Sequence, residues 1–203
     1  STRDQTNFVN RIMGMGHDSV LEHASFTFGI EGVSRVLLAQ ITRHRLASFS
    51  VQSQRYVSYE SGFGYIVPPK IEALGAEAVT EFEQQMDTLH QWYTRWQEKL
   101  GTGEGGNEDA RFVLPGACET RMMVTMNVRE LRHFFSLRCC NRAQWEIREL
   151  AERMFALVYP VAPHIFAKAG PACLCGPCPE GKMCCGKTAE VHARYAAIKE
   201  GAA

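Results

Sequence analysis

TRHRLASFSVQSQRY, residues 42–56, holds three arginines and a histidine and no acidic residue. The deficit is wider than the stretch itself. From Gly32 through Tyr59 there is no Asp or Glu, while Arg35, Arg43, His44, Arg45 and Arg55 all fall there. The whole chain carries 22 basic and 22 acidic residues, so the imbalance is local. Arg43, His44 and Arg45 are consecutive and must point in different directions whatever the backbone does, so one segment can reach two anionic groups. Ser48, Ser50 and Ser53 follow, small residues that allow close backbone approach and offer hydroxyl and N–H donors, as a phosphate-cradling loop requires. The competing reading is a solvated basic surface. Against it stand the interleaved Leu46, Phe49, Val51 and Tyr56, because apolar neighbours imply partial burial and buried charges need partners.

The basic residues are 16 Arg and 6 Lys. Arginine presents a planar fork that grips phosphate or carboxylate through two bonds, where lysine is a point charge. With 203 residues, 45% hydrophobic and 22% charged, the chain has the composition of a soluble globular domain with a full core. Its formal net charge of zero argues against general nucleic-acid binding. No apolar run is long enough to span a bilayer and the first residues do not form a signal peptide, so a cytoplasmic location with reduced thiols is expected.

Periodicity gives the elements. Residues 4–15 read as a helix with Phe8, Ile12 and Met15 on one face, and ASFTFGI alternates as a half-buried strand. Val33, Val36, Leu37 and Ile41 follow helical spacing, so the chain reaches Arg43 from a helix end, with Gln40 and Arg43 on a shared face. Residues 69–100 form a long helix after a proline start, followed by a flexible GTGEGGNE loop and a short helix EDARFVL. TRMMVTMNV is a strand with Met122, Val124 and Met126 on one face. Helices over 128–138 and 143–159 follow, the second turning Ile147, Leu150, Ala151, Met154 and Val158 inward. Strands and helices do not alternate regularly, which predicts an α+β fold: a mixed or antiparallel central sheet flanked by helices in a single domain over 1–169. Residues 170–203 are expected to form a Cys/Gly/Pro-rich irregular tail and a terminal helix.

A second basic set lies downstream: Arg111 in DARFVLP, then Asn127, Arg129, His133 and Arg138 in NVRELRHFFSLR. Asn127 is a good N-cap for the helix behind it, and Arg129 and His133 are four apart on one face. Taken singly, His133 reads as a core histidine and Arg138 as an answer to the helix C-terminal dipole.

Taken together, these segments closely resemble the flavin-dependent thymidylate synthases. RHR is followed after seven residues by Ser53 and then by Arg55 and Tyr56, the family's signature. GHDSVLEHASFTF, DARFVLP, NVRELRHFFSLR and AQWEIRELA extend the resemblance in order over about residues 4–170. It implies conversion of dUMP to dTMP, with FAD as hydride carrier, methylenetetrahydrofolate as carbon donor and NADPH as reductant. It also implies a homotetramer whose active sites lie between subunits. By motif, His17, Ser19, Arg43, His44, Arg45, Val51, Asn127, Arg129 and His133 would contact FAD. Gln40, Arg43, Val51, Ser53, Gln54, Arg55, Arg111 and Arg138 would hold dUMP. Arg138 would be the catalytic residue, beside the uracil ring, where a cation favours ionisation at N3. Many relatives carry a polar or acidic residue where this chain has Val51, and the family has an additional strand before its first helix.

Of the eight cysteines, Cys118, Cys139 and Cys140 lie in the body, while Cys173, Cys175, Cys178, Cys184 and Cys185 crowd the tail. The tail spacing matches no standard pairing of CxxC knuckles, so no metal is expected. Two other readings compete with the resemblance. One is a non-catalytic nucleotide- or RNA-binding module using the same Arg/Ser loop, which the lack of a basic face and an aromatic stacking stripe disfavours. The other is a cysteine-nucleophile thymidylate synthase, which the flavin signature argues against.

Overall fold

The structure, a computed structural model, describes residues 2–59 and 61–201. In chain order these are α1 (Thr2–Gly14), β1 (Ser25–Ser34), α2 (Arg35–Ile41), β2 (Ala47–Val51), α3 (Pro69–Glu72), α4 (Ala76–Leu100), α5 (Glu104–Ala110), β3 (Glu119–Asn127), α6 (Val128–Arg138), α7 (Trp145–Val158), α8 (Pro163–Phe166) and α9 (Thr188–Gly201). The fold is α+β, with an antiparallel three-stranded sheet in the order β1-β3-β2. No helix among the described residues is long and apolar enough to cross a membrane.

The chain divides into two compact units. The first contains the N-terminal segment through Phe28, residues 43–48 and the chain from Thr125 onward. Its core is aromatic. Phe135 is fully buried and meets the rings of Phe155, Phe134 and Phe166 at 5.5, 5.8 and 6.0 Å, all edge-on. Ile147, Leu150, Ala151, Met154 and Val158 are buried along α7 as their spacing predicts. That helix starts where the Gln144 side chain accepts from the Glu146 and Ile147 amides, at 3.0 and 3.1 Å. Residues 170–187 are mostly bends and short 3₁₀ turns, after which α9 sets Val191 and Tyr195 into the core, Tyr195 with its ring 5.2 Å from that of Phe155. Phe8 on α1 and Met15 just beyond its end are exposed, while Ile12 between them is half-buried.

The second unit contains Gly29–Thr42 and Phe49–Val124. Four local expectations change here. Val33 belongs to β1, because Ser34 takes an extended conformation and caps α2 with its hydroxyl, accepting from the Leu37 amide at 3.3 Å. Residues 69–100 are two helices, since Gly75 at φ +104° is a left-handed break that other residues rarely adopt. The supposed loop GTGEGGNE is largely α5. Gly106 lies so close to the Gly101 carbonyl that a Cβ would sit 1.7 Å from it, and Asn107 is tied to Gln97 and Tyr93 of α4. Ser50, read as part of a phosphate loop, is on strand β2, as is Ser48 of the first unit. As expected, Met122, Val124 and Met126 are the buried face of β3.

Candidate active site

In the first unit, α6 begins with Asn127, whose side chain accepts from the Glu130 amide at 2.9 Å, the cap its sequence suggests. The helix then projects Glu130, His133 and Arg138. His44 is 5% exposed and lies between two of them. Its Nδ1 is 2.9 Å from Glu130 Oε1, and its Nε2 is 3.0 Å from Arg138 Nε. A guanidinium has donors only. Nε2 must therefore accept, so Nδ1 carries the proton and donates to the Glu130 carboxylate. Burial, reinforced by the Arg138 charge, holds the His44 pKa below its usual value despite Glu130. The ring is neutral, packed edge-on against Phe134 at 4.9 Å.

Arg138 is in turn partly buried, and both burial and the neighbouring positive charge of Arg43 lower its pKa from the usual arginine value. Arg43 and Arg45 are exposed and, among the described residues, have no ion-pair partner. Arg43 is not on α2, contrary to the shared face with Gln40. The helix ends at Ile41, where the Thr42 hydroxyl donates to the Leu38 carbonyl at 2.6 Å, and Arg43 falls in the turn beyond.

His17 and Ser19 are exposed at the start of a 3₁₀ turn over Asp18–His23. Asp18 pairs with Arg132 at 3.5 Å and Glu22 with Arg129. Arg129, Arg132, His133 and Lys168 line one cavity of about 390 Å³ in which Asp18 is the only acid. Three cations and an imidazole stand against two carboxylates, Asp18 in the cavity and Glu22 on Arg129, and their remaining donors suit the pyrophosphate of FAD.

The other residues named by the resemblance belong to the second unit. Gln40 and Val51 are half-buried, Val51 ending β2. Ser53 Oγ accepts from the Arg55 amide at 3.2 Å, and Gln54 is buried with Nε2 3.6 Å from Cys118 Sγ. Arg55 is anchored from outside its own acid-free stretch, by Glu104 at 2.8 Å and Glu108 at 3.1 Å. Arg111 Nε donates to the Glu108 carbonyl at 3.1 Å. The backbone of Arg55 is fixed as well, its carbonyl accepting from Asn107 Nδ2 at 3.1 Å. The buried Nε of Arg55 has no hydrogen-bond partner among the described residues.

The family model for thymidylate synthase complementing protein matches residues 1–164. The chain belongs to the flavin-dependent thymidylate synthase family. A member of that name from Geobacter sulfurreducens is 56% identical over 192 residues, covering 94% of this chain and 81% of that protein. Another from Clostridium tetani is 47% identical over 199 residues, 93% of this chain and 80% of that protein. A third, from Pyrococcus furiosus, is 43% identical over 188 residues, 89% of this chain and 75% of that protein.

Arg132 and Lys168 of the cavity escaped the sequence reading of this family member, as did three acids. Glu130 stands three places after the cap Asn127, the spacing of a capping box, but its carboxylate goes to His44 instead. Glu104 and Glu108 lay in the segment taken for a loop. Cys139, which adjoins Arg138, is fully buried and its thiol is pushed up to about 12 by that burial, so it has no thiolate to offer at neutral pH. The double replacement of Cys139 and Cys140 by Ser is expected to keep dTMP formation within about threefold, less than a typical catalytic group contributes. Loss of all turnover in a folded, flavin-loaded double variant would restore a cysteine mechanism. No group of three or more His, Cys, Asp or Glu among the described residues is placed to hold a metal.

Proposed function

We propose that this chain converts dUMP to dTMP with FAD, taking its carbon from methylenetetrahydrofolate and its electrons from NADPH. The observation that carries the reading is Arg138, oriented by a neutral His44 at 3.0 Å while the like charge of Arg43 stands near it. The exposed Arg43 beside the partly buried Arg138 makes a locally positive position that suits an anion, and a pyrimidine ionising at N3 is one. Arg138 beside the ring lowers the cost of that charge and so activates C5. FAD, when bound, supplies the hydride that brings the transferred carbon to the methyl level. Arg43, Arg45, Arg129 and His133, with His17, Ser19 and Asn127, are proposed to hold the cofactor, and His44 to act through Arg138.

Gln40, Val51, Ser53, Gln54, Arg55 and Arg111 are proposed to hold dUMP, with its phosphate on the two arginines. The half-exposed pairs of Arg55 with Glu104 and Glu108 are worth only about 0–1 kcal/mol each. A charge-assisted bond to phosphate is worth about 1.5–3 kcal/mol. The acids therefore position Arg55 without competing strongly with the ligand. The exposed Phe8 of α1 and Met15 just after it support burial against another copy, in the tetramer that the family resemblance implies, and reduced thiols fit a cytoplasmic enzyme.

Arg55→Ala and Arg111→Ala are each expected to weaken dUMP binding roughly 10- to 150-fold while leaving FAD binding nearly unchanged. Calorimetric titration with each ligand measures this. Native dUMP affinity in both variants would move the phosphate elsewhere. A chain that takes up no FAD at all would favour the nucleotide-binding module instead.

A further inference from the structure

We infer that Glu130 is a positioning residue for the reaction: through His44 it fixes the direction in which Arg138 presents its guanidinium. The chain of contacts is continuous and lies within one compact unit. Glu130 Oε1 receives the His44 Nδ1 proton at 2.9 Å, and His44 Nε2 receives the Arg138 Nε proton at 3.0 Å. Glu130 and His44 are 5% exposed each, so water does not replace either partner.

The order of the chain sets its function. An imidazole free to choose places its proton on either nitrogen, and with the proton on Nε2 it would confront the Arg138 Nε–H donor to donor. A carboxylate at Nδ1 removes that choice, because only the Nδ1–H tautomer satisfies both neighbours. It fixes the ring in the same way that a carboxylate behind a ligating histidine fixes its tautomer. With Nε donating to His44 at 3.0 Å, that bond restrains the swing of the guanidinium plane. Asn127 contributes by capping α6 through the Glu130 amide at 2.9 Å, which holds the first turn that carries the carboxylate. Phe134 closes the ring from the side at 4.9 Å and prevents rotation about χ2. Glu130 is buried with its carboxylate on His44, and the action inferred for it runs through Arg138.

The inference rests on the proposed role of Arg138, and the test separates the two. The ring nitrogens of ¹⁵N-histidine-labelled, flavin-free protein are observed by long-range ¹⁵N–¹H correlation, with His44 assigned from His44→Gln. The expected native pattern is a neutral ring protonated at Nδ1, converted in Glu130→Ala to a mixture of tautomers or to Nε2–H. A native Nε2–H tautomer, or a protonated ring at pH 7, overturns the relay whether or not the chain makes dTMP. In kinetics, Glu130→Gln keeps an acceptor but loses the charge, and is expected to lower kcat about 10- to 100-fold with FAD affinity within about threefold, the range of a lost positioning bond. The same substitution made on Arg138→Ala is expected to change the residual rate less than about threefold, since the residue it acts through is already gone. Equal losses in both backgrounds would show that Glu130 acts on folding or on another group. If the native chain makes no dTMP, the functional reading fails and the tautomer alone decides the relay.

Discussion

Arg138→Ala is expected to lower dTMP formation about 100- to 1,000-fold, the usual loss when one preorganised electrostatic donor is removed from a site. The reason is local to this residue. Arg138 is held by His44 at 3.0 Å and carries its charge partly buried, where a cation acts on a developing anion far more strongly than in water. FAD binding should change little, because Arg43, Arg45 and Arg129 remain. Arg138→Lys restores the charge but replaces the planar fork with a compact ammonium on a flexible stem, which does not hold its donors in the same directions. It should therefore recover only part of the loss. Single-turnover rates at saturating dUMP measure the effect, and turnover within about threefold of native in Arg138→Ala would remove Arg138 from the chemistry.

The largest effect on stability is expected at Phe135. The ring is fully buried and touches three other phenylalanines, so Phe135→Ala leaves a cavity in a rigid aromatic core. Truncation of such a residue costs about 3–5 kcal/mol. At about 2–4 °C per kcal/mol for a chain of this size, the midpoint of thermal unfolding should fall by roughly 6–20 °C. The consequence extends to function, because Phe135 and Phe134 lie on the helix that carries Glu130 and Arg138. A shift smaller than about 2 °C would mean that the core repacks around the gap, and the aromatic cluster would not be what holds α6.

Much of this architecture was legible in the residues. The alternation of Met122, Val124 and Met126, the cap Asn127 and the inward face of α7 are all local patterns, and the structure has them where the sequence puts them. What escaped was decided by contacts distant in sequence. His44 meets Glu130 across 86 positions, and no local pattern marks that acid as its partner. GTGEGGNE reads as a loop because glycine lowers helix propensity, yet close packing on Gly101 and the tether of Asn107 override it. β2 was hidden because its alternating serines read equally well as a phosphate loop. For the site, the arginine deficit of acids pointed to an anion, while the identity of the ligands came from the order of whole segments rather than from charge.

One measurement bears most directly on the proposed reaction. Purified protein freed of flavin is incubated with dUMP, methylenetetrahydrofolate and NADPH, with and without FAD, and dTMP is quantified by chromatography. dTMP is expected only when FAD is present, with a change in the flavin absorbance when dUMP is added to the FAD-loaded protein. Equal dTMP with and without flavin, or none under either condition from folded protein that holds both ligands, would contradict the proposed reaction.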